Sequence, residues 1–283
     1  MDSVRGTPER TPANELNRLI VHLWHGRVSP TVEMSSTLIL NYLDSMGAPH
    51  HALALMSNLF LAVAAESSFK NEEPLESIIG RNLKVVQVLQ ATLSLTPRPD
   101  DLRRTFQSGL NETYRMLDDE EWRIDKPENH IFYGSYQQGA QVPICFLQKY
   151  LDLFASQLFA AGVVQDDIYF VTAMRVTLET QNLDSDLRGH LAAAAEWIFS
   201  SGDALRDSIE SRKTTHDDYE CGPLYNILYN KGRDEGFLPM DKGRWNWWRD
   251  RFQELTKGMQ GTRPYDAARM MKEFEGIADL VGD

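Results

Sequence analysis

Along most of the chain, apolar positions recur at steps of three and four residues, the spacing that lays one stripe along an α-helix. In "NELNRLIVHLW" the stripe is Leu16, Leu19, Ile20, Leu23 and Trp24. A second helix opens at Ser29-Pro30, an N-cap residue followed by proline at the first helical position, and stops near Gly47. The third is "ALALMSNLFLAVAA", Ala52 to Ala65, interrupted by Ser57 and Asn58. It is shorter than the ~20 residues that span a bilayer and reads as a buried core helix. "LESIIGRNLKVVQVLQATL" is the fourth, closed by the prolines of "TPRPD", and "DLRRTFQSGLNETYRML" follows with weak amphipathicity. Further helices are expected at about 144–161, 166–182, 187–212, 243–259 and 264–279. Neither a strand pattern nor a repeat of fixed period stands out. The pattern predicts an all-α fold, with a flexible tail over 1–13 and a single compact domain of about nine to twelve helices over 14–283.

One stretch breaks the rhythm. Asp118 to Pro143 mixes Pro, Gly, Asn and Asp, which says loop, yet it carries Trp122, His130, Phe132, Tyr133 and Tyr136. A loop this long is usually functional or disordered, and one rich in rings is expected to pack onto the body of the domain.

"GRWNWWRDRF", Gly243 to Phe252, holds three of the six tryptophans. At about 100° per residue, Trp248, Phe252, Leu255 and Met259 fall within about 80° of Trp245, a core stripe. Trp247 lands about 200° round, beside Arg251. It is either a flanking ring covered by a neighbouring loop, or one that lines a cleft or meets a partner.

The same reading of "ICFLQKYLDLFASQLFAAG" gives an apolar face of Phe146, Tyr150, Leu153, Phe154 and Leu158, with Gln157 in its middle. A buried amide must find partners, so Gln157 either ties down a backbone group or points into a polar spot of a cavity. Glu66 extends the Leu55, Leu59, Ala62, Val63 face by a turn. It is either a capping or paired carboxylate, or a desolvated acid suited to proton transfer. Arg175 and Glu179, four apart on the least apolar side of their helix, read as an ordinary salt bridge.

Composition narrows the chemistry. The net charge of −12 is not offset by any basic cluster and disfavours nucleic acid as a partner. Cys145 and Cys221 form no C-x-x-C pair, and seven scattered histidines give no ligand spacing, so no metal and no cofactor are expected. His22 and His25 share a polar face, but no carboxylate completes a site. The nearest approach to the aspartate-rich helix of terpene cyclases, "DDEEW", has Trp122 where the second carboxylate group should begin. G-x-S-x-G, P-loop and G-x-G-x-x-G motifs do not occur. The polar N-terminus lacks a signal-peptide pattern, and the expectation is a cytoplasmic chain without membrane insertion.

"YLDLFASQL", "FVTAMRVTLET", "AAAAEWIFSSGDAL" and "GFLPMDKGRWNWWRDRFQEL" follow one another in an order that resembles the fungal family of domain of unknown function 3632. The likeness rests on Trp197, Gly202, Gly236, Phe237, Arg244, Trp245 and Trp248, and extends more weakly back to about Ser29. It implies a helical, cytoplasmic, fungal protein and little about activity. Two departures stand out: Gln157 replaces the Arg of the family's Ala-Arg-Leu triplet, and Tyr150-Leu151-Asp152 replaces Asn-Leu-Asn. Changing a charged group on an inner helix face changes what an enclosed cavity could hold.

Two functional expectations follow. The first is a cofactor-independent enzyme of fungal secondary metabolism that cyclises or isomerises a mainly apolar small molecule, a pericyclic [4+2] closure being one form. Such a step needs a shaped pocket and positioned hydrogen-bond donors and little else. Gln157 would polarise a substrate carbonyl, Glu66 would be an acid, and Tyr133, Tyr136 and Trp247 would form the wall. The second is a non-catalytic helical interaction protein whose Trp247 face binds a partner. Oligomeric state is left open by either.

Overall fold

The prolines of "TPRPD" close a helix where the sequence expects it, at Leu95. A computed structural model of the chain describes residues 31–45, 52, 56–57, 59–60, 63–64, 75–118, 144–180, 187–210, 219–220, 222–225, 237–238 and 240–278. Its helices are α1 (Val32–Ser45), α2 (Leu75–Leu95), α3 (Pro99–Asp118), α4 (Ile144–Ala160), α5 (Ile168–Leu178), α6 (Leu187–Glu210), α7 (Lys242–Leu255) and α8 (Arg263–Ala278). Described residues between 52 and 64 are helical as well. The fold is all-α. One difference is a two-residue antiparallel pairing, β1 (Tyr219–Glu220) with β2 (Phe237–Leu238), too short to leave an alternating pattern in the sequence.

Helix α1 starts at Val32, later than Ser29-Pro30, and the Thr31 hydroxyl accepts from the Met34 N–H at 3.2 Å. Pro99 opens α3, where its missing N–H does no harm. Far from weakly amphipathic, α3 buries Leu102, Phe106, Leu110 and Thr113 and exposes Asp101, Arg104, Ser108 and Arg115. Gly109 permits the closest approach on that face: a Cβ there would sit 2.6 Å from the Met56 Cβ. Helix α4 ends in a left-handed turn at Gly162, φ 66°, with the Val163 N–H reaching back to the Leu158 carbonyl at 2.9 Å. Asp241 caps α7 by accepting from the Arg244 N–H at 2.8 Å. That helix stops at Leu255, short of the expected Met259. The Thr256 hydroxyl bonds back to the Phe252 carbonyl, and Gly258 takes φ 90°.

Side-chain contacts fix the directions. Arg103 donates to the Gly162 carbonyl and Tyr114 to Asp152, so α3 and α4 run antiparallel. The short Thr96–Arg98 turn joins α2 to α3, and the Gln90 amide of α2 donates to the Ala161 carbonyl at the end of α4 at 3.2 Å. Phe159 against Trp197 and Ser156 against Ser200 set α6 antiparallel to α4. The small side chains of Ala193, Ala194 and Ala195 are buried on α6, which packs along both α4 and α5. Helix α4 lies deepest, with every residue from Tyr150 to Leu158 buried. On its flank, Phe170, Trp197, Trp245 and Trp248 form an aromatic cluster with ring centroids 5.5–6.4 Å apart. Trp245 and Trp248 are the core residues their spacing predicted.

Candidate functional site

Gln157 sits where the periodicity puts it. It is 5 % exposed, flanked on α4 by the buried Leu153, Phe154 and Leu158. Its Oε1 has no hydrogen-bond partner among the described residues. An amide oxygen left that way in an apolar environment costs about 1–3 kcal/mol. The free atom is an acceptor, so it suits a hydroxyl or N–H; half a turn of the amide presents the NH2 group to a carbonyl instead.

The other expected site residues divide. Glu66, Tyr133 and Tyr136 lie outside the described residues. Trp247 is half-buried against the core, its ring meeting Tyr225 edge-on at 5.3 Å and 70°. Tyr225 is itself buried, so the short turn at 223–225 covers one side of the indole.

Sequence reasoning missed a second amide of the same kind. Asn82, on α2, is 0 % exposed, and neither Nδ2 nor Oδ1 has a partner among the described residues. Its helix face is apolar, with Ile78, Val85, Val86 and Leu89 all buried. The signal was present as a lone Asn on the buried stripe of "LESIIGRNLKVVQVL", the same kind of interruption that exposed Gln157. The Trp197 Nε1 is a further buried donor without a partner among the described residues.

Glu179 overturns its expected role. Instead of pairing with Arg175 on the surface, it is the C-cap residue of α5, at φ −99° and ψ 2°, with its side chain 0 % exposed. Oε1 accepts from Arg244 Nε at 2.8 Å and from Trp248 Nε1 at 2.6 Å. Oε2 accepts from Arg244 Nη2 at 3.2 Å and from the Gly222 N–H at 2.5 Å. The Leu224 N–H adds a bond to the Glu179 carbonyl at 2.9 Å. The guanidinium lies 5.2 Å from the Trp248 ring and 5.5 Å from that of Tyr225. Only glycine fits at 222, since a Cβ would come within 2.4 Å of the Glu179 Cβ. The helix ends at Leu178, earlier than the expected 182, and that termination turns the carboxylate inward.

Two further polar groups pair across helices. The Tyr114 hydroxyl donates to Asp152 Oδ1 at 2.6 Å, and its ring stacks on Tyr169 at 4.3 Å. Tyr169 in turn donates to Asn111 Oδ1, and burial, reinforced by the Asp166 carboxylate, pushes its phenol well above the ordinary range. Glu196 of α6 takes a bidentate pair from Arg263 of α8, which raises the Arg263 pKa, and the guanidinium covers Phe199 at 4.5 Å.

The family model described as "Protein of unknown function (DUF3632)" matches residues 82–252. The chain belongs to this DUF3632 family. The matched span begins at Asn82 and takes in Gln157, Glu179, Gly222, Arg244 and Trp248, so both unpartnered amides and the whole Glu179 node lie in the DUF3632 region. Glu66, α1 and α8 lie beyond it. No curated protein and no solved structure matches the chain. Among the described residues of this DUF3632 member, no helix is long and apolar enough to cross a membrane. Among the same residues, no group of three or more His, Cys, Asp and Glu side chains converges as metal ligands would.

Proposed function

We propose that this DUF3632 protein is a cofactor-independent enzyme of secondary metabolism that cyclises or isomerises a mainly apolar small molecule. A pericyclic closure such as a [4+2] addition is the form that asks least of the residues available. The observation that supports the reading is Gln157, a neutral hydrogen-bonding group on the buried helix α4 whose oxygen has no partner among the described residues. Evolution can place a leucine at such a position at no loss in stability. An unsatisfied amide earns its place by meeting a polar atom brought in by a ligand. Held rigidly by α4, it would orient a substrate and stabilise charge developing on its oxygen, needing no proton transfer of its own.

Cyclisation and isomerisation conserve elemental composition, which gives a sharp test. Small-molecule extracts of the source cells with and without the gene are compared by accurate mass. The expected result is a pair of compounds of one composition, one accumulating and the other lost. Purified protein should then convert the first into the second with chelator present and nothing added. A lost compound that differs in composition from the accumulated one, or conversion that stops with chelator, would overturn the reading.

A further inference from the structure

Helices α7 and α8 follow one another and are held by different means. Helix α7 buries Trp245, Trp248 and Phe252, together with Arg244, whose side chain is 0 % exposed in its pair with Glu179. Helix α8 packs on α6 and α7 through a smaller stripe: Pro264, Ala267, Ala268 and Met271 are buried, and Met270 is partly covered beside them. Its polar anchor is Arg263, 36 % exposed. That guanidinium grips the buried Glu196 of α6 through Nε and, at 2.7 Å, through Nη2, and it lies over the Phe199 ring. We propose that α8 is a latched cover: it swings off α6 and α7 as a unit while the rest of the domain stays folded, and the Arg263–Glu196 pair is the latch. This does not depend on the activity proposed above.

The difference in hold follows from size. Apolar burial stabilises in proportion to area, so two alanines, a proline and a methionine hold a helix less firmly than two tryptophans and a phenylalanine. A segment with few large buried groups opens locally, below the free energy of global unfolding. The joint suits a swing. Thr256 is buried, and its hydroxyl closes the end of α7 on the Phe252 carbonyl, so the fixed part stops there. Beyond it, Lys257, Gly258 and residues 260–262 are exposed. Gly258 and Gly261 stand at φ 90° and 79°, with open space where a Cβ would be. Glycine takes positive and negative φ about equally readily, so the turn can straighten at two points without a steric penalty.

Opening bares a particular piece of α6. Glu196 loses its counter-ion and Phe199 its cover, which leaves a carboxylate beside an aromatic ring. In the closed form this face is occupied by the chain's own cation.

Hydrogen exchange on the full chain tests the latch. Corrected for intrinsic rates, the amides of Ala267 to Met271 should exchange roughly 10²-fold faster than those of Tyr150 to Leu158. Their rate should also change little as urea rises towards the unfolding transition, the mark of an opening that exposes little surface. Arg263→Gln removes the charge and should speed exchange of the α8 amides by roughly 10-fold, with the α4 amides unchanged. Gly258→Ala with Gly261→Ala strains only the closed turn and should act on the same α8 amides. Exchange of α8 at the rate and urea dependence of α4 would overturn the proposal, since the two would then open only together. An Arg263→Gln effect spread evenly over the helices would do the same, as would no effect on α8. If Arg263→Gln does not fold, α8 belongs to the cooperative core and the latch is likewise refuted.

Discussion

Two buried polar centres in this protein are built to opposite rules. Around Glu179 a full charge is taken out of water, and the carboxylate accepts four hydrogen bonds from Arg244, Trp248 and the Gly222 backbone. Around Asn82 and Gln157 the groups are neutral, the flanking residues on the buried stripe are apolar, and three amide atoms have no partner among the described residues. A buried charge must be answered by the protein itself, because leaving it bare costs several kcal/mol. A neutral amide can be left unanswered at about 1–3 kcal/mol, a loss a stable domain tolerates. The first centre therefore belongs to the architecture, while the second holds amide atoms that the described residues do not answer.

Mutations can break that contrast, and the largest effect is expected at the charge. Glu179→Ala should destabilise by about 3–5 kcal/mol, since it strands the fully buried Arg244, and urea unfolding will read it. Glu179→Leu combined with Arg244→Met should recover much of that loss, because both charges leave together. A double variant as unstable as the single one would mean the node acts through shape and not through charge. Gly222→Ala comes next, at about 1–3 kcal/mol, because its Cβ must push against Glu179 at 2.4 Å. Tyr114→Phe should cost about 1 kcal/mol, the worth of its bond to Asp152.

Smallest in stability, and of the opposite kind, is Gln157→Leu. The melting temperature should hold or rise, as an unpartnered amide is replaced by an apolar group of similar volume. Turnover of the isomer identified by accurate mass should fall by roughly 10²–10³. A loss of about 1–3 kcal/mol with activity per folded molecule unchanged would make Gln157 architectural, and erase the contrast.

What the sequence disclosed follows from the range of the interactions involved. The helices of the matched region were legible because a period of three to four residues is local, and so were the roles of Trp245 and Trp248. Gln157 was legible as a polar letter on an apolar stripe, and Asn82 could have been found by the same rule. Glu179 was not. Its partners lie 43, 65 and 69 positions downstream, and the pattern carried α5 past its true end, placing the carboxylate on a solvent face. The inward turn depends on a helix terminating four residues early, and helix ends are the feature that periodicity resolves least well. Trp247 was correctly placed off the core stripe, yet its cover, Tyr225, came from a turn that no periodic signal marked.

The spacing of the Glu179 node also bears on how the chain is made. Arg244 follows Glu179 by 65 residues. At about 5–20 residues per second, a ribosome delivers the guanidinium roughly 3–13 s after the carboxylate. Throughout that interval the Glu179 carboxylate lacks Arg244 and Trp248 and is expected to stay hydrated. The aromatic cluster around Phe170 cannot close either until Trp245 and Trp248 arrive with the same segment. The end of α5 is thus left open until the 244–248 segment has been made, and its drying follows that step.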